Sequence, residues 1–344
     1  AIGLLSTAVP QYQSEVAPAS MRGCLGSIYQ LMITLGILLA ALVDVPLVSR
    51  EGGWRTAIYL QAVPAFCLLA GMGFLPESPR WLVQEGRKDE ALKVLRSLLP
   101  EDEAHLENRA IIKDCEQAAA LGGVTWAEGC SGRVLRLLAV GVTVQMLSQL
   151  VGMNAFMYFG PRLFRKLGLS ENVFQTINNS VNFVSTFPAL VLADRCGRRA
   201  LLIAGGVGMT VACVSMGLLG LFCMARDEDG WATPSGAVQA AIVSMVFLFV
   251  INFAYSWGPM VWVYCAEIYP LKFRSWCLGL TTMSNWVGNY VIAQFTPVLL
   301  ESLGFGTFFV FACFTTTAVG VAIWLPETKG VSLEDIDGLF DAKL

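Results

Sequence analysis

One pattern, Glu-x-x-Pro-x-x-x-Arg, occurs twice: as Glu15, Pro18 and Arg22, and as Glu267, Pro270 and Arg274. The copies stand 252 residues apart, and each follows an apolar run. Two apolar runs after each copy comes Pro-Glu and a hydroxyl residue: Pro76-Glu77-Ser78 and Pro326-Glu327-Thr328. From the first Glu to that Pro is 61 residues in one copy and 59 in the other. Two marks in the same order at nearly the same spacing describe a duplicated architecture. The chain is therefore expected to fold as two related halves.

The runs between the marks define the solvent. The chain is 55% hydrophobic and 14% charged, against about 25% charged in soluble domains. A bilayer core about 30 Å thick takes about 20 apolar residues per helix. Spans are predicted at 1–13 (the tail of one), 23–43, 54–75, 134–158, 172–193, 200–224, 238–263, 275–299 and 307–325. The fold class is all-α, a bundle of membrane helices. Residues 1–75 hold the N-terminal spans. Residues 76–133 are charged, with helical patterning around Lys88–Leu99 and Glu103–Ala120, and read as a soluble linker of short helices. Residues 134–325 form the C-terminal half, and 326–344 a tail.

Lys and Arg orient such a bundle. With the Arg22 end in the cytosol, inside segments carry 17 Lys/Arg and outside segments six. Arg162, Arg165 and Lys166 form a local exception outside. Both copies of each mark then fall inside, as a repeat about an axis along the membrane normal requires. Three spans precede the one that ends at Glu267, but none precedes the one that ends at Glu15. The repeat thus leads us to expect three further helices, on the order of 120 residues, before Ala1.

Several function classes lose support. The net charge of −3 argues against a nucleic-acid partner. The ten cysteines are scattered singly, without CxxC spacing, and His105 is the only histidine. No metal site, cofactor or catalytic constellation is expected, and no enzyme.

Polar groups within the spans point the other way, because an amide in hydrocarbon is costly unless it faces the bundle interior or a wet cavity. They are Gln30; Gln145, Gln149 and Asn154; Asn178, Asn179 and Asn182; Asn252; and Asn285 and Asn289. Gln145 and Gln149 share a helix face at i,i+4, as do Asn285 and Asn289. Amides donate and accept, which suits hydroxyl groups; Trp262 and Trp286 can stack on the C–H face of a sugar. The plainer reading of any one amide is helix–helix adhesion. At the cytosolic end, Glu15, Arg22, Asp194, Arg195, Glu267 and Arg274 can pair into a latch that opens as the halves part. Ser256-Trp257-Gly258-Pro259 interrupts a span, which makes Gly258 and Pro259 a hinge or gate. The glycines Gly205, Gly206 and Gly208 lie inside an apolar span and read as helix-packing residues.

These residues together resemble the sugar porters of the major facilitator superfamily. Pro76-Glu77-Ser78-Pro79-Arg80, Asp194-Arg195-x-Gly197-Arg198-Arg199 and Pro326-Glu327-Thr328-Lys329-Gly330 match that family's signatures, and Trp257-Gly258-Pro259 resembles its fungal and plant branch. The resemblance implies twelve helices as six plus six, with this chain starting in the fourth. It implies a hexose site of Gln30, Gln145, Ser148, Gln149, Asn154, Asn182, Trp262, Asn285, Trp286 and Asn289, with Tyr158 as an outer-gate aromatic. It also places the six latch residues in a cytosolic salt-bridge network. Ser148 departs from the family, which usually has Gln there; this makes a polyol, a cyclitol or a quinate-like acid more plausible. The expected function is alternating-access transport of a monosaccharide, by proton symport or facilitated diffusion, in the plasma membrane. The alternative of another class is a non-transporting sugar sensor. The implied partners are a small-molecule sugar, a co-transported proton in the symport case, and the lipid bilayer.

Overall fold

The computed structural model describes residues 2–17, 22–48, 50–120, 132–158, 171–223, 226–227, 230–231, 235–270 and 272–330. The side chain of Arg22, the cluster Arg162, Arg165 and Lys166, linker residues 121–131 and tail residues 331–344 lie outside the described residues.

The first segment contains α1 (Ile2–Val16), α2 (Arg22–Val48), α3 (Gly53–Leu60) and α4 (Ala62–Met72). Helix α2 runs 27 residues, enough to cross about 40 Å at 1.5 Å per residue. Helices α3 and α4 follow one another in a single apolar stretch, Gly53–Met72, whose hydropathy suits a bilayer and none of whose window is buried by protein.

The linker folds into α5 (Pro79–Gln84), α6 (Lys88–Leu98) and α7 (Glu101–Ala120) around a core of its own. The start of α5 is written locally: the Ser78 hydroxyl accepts from the Trp81 amide, with Pro79 in the first turn. On α6, Ala91 and Leu95 share one face and are buried beside Leu82 and Ile111.

The C-terminal half comprises α8 (Gly132–Leu150), α9 (Glu171–Cys196), α10 (Arg198–Cys223), α11 (Gly236–Tyr255), α12 (Pro259–Glu267), α13 (Arg274–Leu303) and α14 (Thr307–Trp324). A two-residue antiparallel pairing, β1 (Arg226–Asp227) with β2 (Gly230–Trp231), connects α10 to α11. Helix α10 packs against α11 and α14, α8 against α13, and α9 against α11. Close approach of α10 to α11 uses its glycines. A Cβ at Gly205 would meet Ser256, and one at Gly208 would meet the Asn252 amide.

Four packings join the first segment to the C-terminal half: α2 on α9, α2 on α12, α1 on α13 and α1 on α12. This seam and the packing on α11 explain α9. The helix is too polar on average for a simple apolar span, yet Asn178, Asn179, Asn182 and Thr186 are all buried. Its polar stripe faces protein while Val184, Phe187 and Val191 are exposed, as the bilayer demands.

Candidate functional site

Helix α8 brings Gln145, Ser148 and Gln149 to one face, at i, i+3 and i+4. It stops at Val151, because Gly152 takes φ +97°, where side chains are disfavoured. A Cβ there would also run into the Phe311 ring at 2.7 Å. The chain re-enters a helix at Met153 and presents Asn154 and Tyr158. Helix α13 supplies Asn285 and Asn289 one turn apart.

These side chains join into a directional chain of amides. Asn154 Nδ2 donates to Gln149 Oε1 at 2.5 Å, and Gln149 Nε2 donates to Asn285 Oδ1 at 3.0 Å. Asn285 Nδ2 donates to Gln145 Oε1 at 2.7 Å and to Ser148 Oγ at 3.3 Å. Ser148 turns its own proton to the Gln145 carbonyl at 2.7 Å. Beside the chain, the Tyr158 hydroxyl donates to Asn289 Oδ1 at 3.3 Å. Gln145, Ser148 and Asn285 are buried, while Gln149, Asn154 and Asn289 are half-buried. The row therefore runs from a closed end to an open one. A hydroxylated solute can replace any amide–amide bond by donating to one partner and accepting from the other.

The remaining expected contacts lie elsewhere. Trp286 follows Asn285 by one residue, about 100° around the helix. Its Nε1 stands 4.0 Å from where a Cβ on Gly3 would be, so the indole turns to α1 and is 42% exposed. Trp262 meets Tyr29 of α2 edge to face, with ring centres 5.4 Å apart. Gln30 is half-buried on α2, its Nε2 3.3 Å from a Cβ built on Gly258. Asn182 is buried on α9, and its Oδ1 has no hydrogen-bond partner among the described residues. Tyr29 was missed from sequence; its place one residue before Gln30 is the only hint.

The break between α11 and α12 is anchored. Ser256 leaves helical geometry, Pro259 starts α12, and the fully buried Trp257 donates Nε1 to the Leu202 carbonyl of α10 at 2.9 Å. Short helix α12 carries Trp262 near one end and Glu267 at the other.

Glu267 belongs to a network at the motif-bearing end. Arg198 Nη2 donates to Glu267 at 2.7 Å and Arg198 Nη1 to Asp194 at 3.2 Å, with both Arg198 and Glu267 side chains buried. The second oxygen of Asp194 accepts from the Cys24 amide at 2.9 Å, which caps α2 from the other half. Glu327 accepts from the amides of Arg198 and Arg199, at 2.8 and 3.0 Å, and so caps α10. Gly197, at φ +90°, makes the turn between α9 and α10; a Cβ there would meet Glu327 at 2.5 Å.

Two latch residues make contacts that the sequence did not specify. Arg198 makes the pairing that was expected of Arg195: it lies four residues after Asp194, and the Gly197 turn sends it back over α9. Arg195 is exposed, and among the described residues its carbonyl accepts from Lys329 Nζ at 2.7 Å. Arg274 is buried and donates Nε and Nη2 to the Tyr269 carbonyl within its own loop. Glu15 accepts from the Ser78 hydroxyl at 2.5 Å and Glu267 from the Thr328 hydroxyl at 2.7 Å. The two repeated marks are thus hydrogen-bonded to each other in both halves. The shared spacing of about 60 residues was the available signal.

Fold and site define a helical membrane bundle with a polar row within one half and a charged network at one end. The model of the family "Sugar (and other) transporter" matches residues 1–340, and the chain belongs to that family. The high-affinity fructose transporter ght6 of Schizosaccharomyces pombe is 35% identical over 98% of this chain and 65% of its own length. The high-affinity hexose transporter ght4 of the same yeast is 34% identical over 100% and 62%. The arabinose-proton symporter of Escherichia coli K12 is 36% identical over 98% and 71%. The chain thus spans about two thirds of the length of these relatives. Among solved structures, the proton:xylose symporter XylE bound to 6-bromo-6-deoxy-D-glucose superposes with a TM-score of 0.84 at 27% identity, over 98% of this chain and 71% of its own. For the inward-open conformation of XylE from E. coli the score is 0.66 at 26% identity, over 96% and 68%. The protein is an integral, multi-pass membrane protein of the major facilitator fold.

Proposed function

We propose that the protein carries a monosaccharide, a hexose first, across the membrane by alternating access. The amide chain from Asn154 through Gln149 and Asn285 to Gln145 is the observation that carries this reading. Its members are held by α8, the short helix after Gly152 and α13, all of one half, so their spacing is kept while the halves move. Hydroxyl groups of a sugar exchange for amide partners one by one, which needs no charge. The network of Arg198, Asp194 and Glu267 then closes the motif-bearing end, which the Lys/Arg distribution assigns to the cytosol. The lower likeness to the inward-open XylE structure agrees with that end being shut here. The plasma membrane is the host we favour.

Relatives named as arabinose- and galactose-proton symporters favour a proton as the co-transported partner. Collapse of accumulation by a protonophore, with exchange intact, is the outcome for symport.

The reading is tested by counterflow of labelled D-glucose, D-fructose and D-xylose in liposomes holding the purified protein. Saturable counterflow of at least one sugar is expected. Replacing Gln149 with Ala removes about 0.5–1.5 kcal/mol per lost hydrogen bond, so half-saturation rises roughly two- to tenfold. Folded protein that shows no counterflow with any of the three would overturn the reading.

A further inference from the structure

At the end of the bundle opposite the ion-pair network, α2 and α9 enclose an open crevice of about 420 Å³. That size falls within the roughly 300–1,000 Å³ typical of small-molecule sites. Ile37 and Ala41 give it an apolar wall, and Asp44, Gln175, Thr176 and Asn179 bring polar groups to it. Positions 30, 34, 37, 41 and 44 recur three or four apart, so Asp44 shares a stripe of α2 with Gln30. Fourteen residues separate the two, about 21 Å along the helix. The crevice lies where α2 meets α9, and it shares no lining residue with the amide chain.

Two of its polar groups, on Asp44 and Gln175, offer acceptors. Gln175 Nε2 is spent on Asn179 Oδ1 at 3.3 Å, and Asn179 is 3% exposed. Gln175 Oε1 is buried and has no hydrogen-bond partner among the described residues. Asp44 is exposed and makes no ion pair among the described residues. An ionised carboxylate only accepts. A buried carbonyl and a carboxylate without a cation, set over an apolar wall, suit a ligand with several hydroxyl donors and a C–H face.

We propose that this crevice is a second binding site for a polyhydroxylated solute, held by Asp44 and Gln175 on the way to the amide chain. The identity of the solute as the carried sugar rests on the function proposed above; the site itself does not require transport.

Protection of a reporter thiol tests it. Val45 lines the crevice and is 45% exposed, so Val45→Cys places a thiol at its rim in a full chain whose native cysteines are replaced. The probe is an impermeant maleimide, with D-glucose or D-fructose as ligand. The background carries Asn285→Ala, which breaks the amide chain. Labelling roughly tenfold slower at sugar about ten times its dissociation constant is expected, with protection lost in Asp44→Ala. Unchanged labelling with sugar overturns the proposal. So does protection that appears only with Asn285 intact, because the thiol would then report the amide chain. Equal protection in Asp44→Ala also overturns it. Counterflow is scored separately, so its absence sinks the transport reading without deciding this one.

Discussion

The two copies of Glu-x-x-Pro-x-x-x-Arg make the same hydrogen bond in different surroundings. In the first, Glu15 is half-buried and takes the Ser78 hydroxyl, with Gln11 as a second partner. In the second, Glu267 is 4% exposed and holds the Thr328 hydroxyl on one oxygen and Arg198 on the other. The first copy ties its half to the soluble linker. The second ties three helices of its half together, and through Arg198 and Asp194 it reaches the amide of Cys24 on α2. Duplication preserved the hydroxyl–carboxylate bond. Burial then gave one copy an ion pair, and its network crosses the seam through the hydrogen bond from the Cys24 amide to Asp194. The first copy can be expected to hold shape and the second to set which end is open.

That contrast ranks the substitutions. Glu267→Gln leaves the buried Arg198 guanidinium without one of its carboxylates, a loss of about 3–5 kcal/mol for a broken buried pair. A population held shut by that pair swings to the other state. The measurement is maleimide labelling of native Cys196, exposed beside Gly197, which is expected to change sharply with side and rate. Gly197→Ala should come next, because it forces a left-handed φ and pushes Glu327 off the start of α10. A cost of about 1–3 kcal/mol is expected, read as a lower thermal midpoint. Two further substitutions set the copies against each other. Thr328→Val removes a hydroxyl from a buried carboxylate, at about 1.5–3 kcal/mol. Ser78→Ala removes the same bond from a half-exposed one and should cost less than half as much. Equal losses from the two would erase the distinction drawn here.

Much of this was legible before any coordinates. Apolar runs separated by charge placed α2, α8, α10, α13 and α14, because a bilayer permits few alternatives to a 20-residue helix. The i,i+4 amides of α8 and α13 were legible because helix periodicity fixes which residues share a face. Partner choice was not. Whether Arg195 or Arg198 meets Asp194 depends on the backbone turn at Gly197. Trp286 was grouped with its neighbours Asn285 and Asn289, yet one residue of offset sends it to α1. Helix α9 shows the opposite case: its polar residues lower its average hydropathy, and only their burial against neighbouring helices explains why they are there. The bond from Ser78 to Glu15 was hidden in plain spacing, since equal intervals imply that two marks travel together but not that they touch.

Equilibrium binding of labelled sugar to purified Asn285→Ala protein tests the central claim most directly. Asn285 donates to Gln145 and Ser148 and accepts from Gln149, so its removal cuts the amide chain in the middle. Two or three lost hydrogen bonds correspond to affinity weakened by at least about tenfold, with helical content and monodispersity as in the unsubstituted protein. Binding at unsubstituted affinity by a well-folded Asn285→Ala protein would contradict the account and place the sugar elsewhere in the bundle.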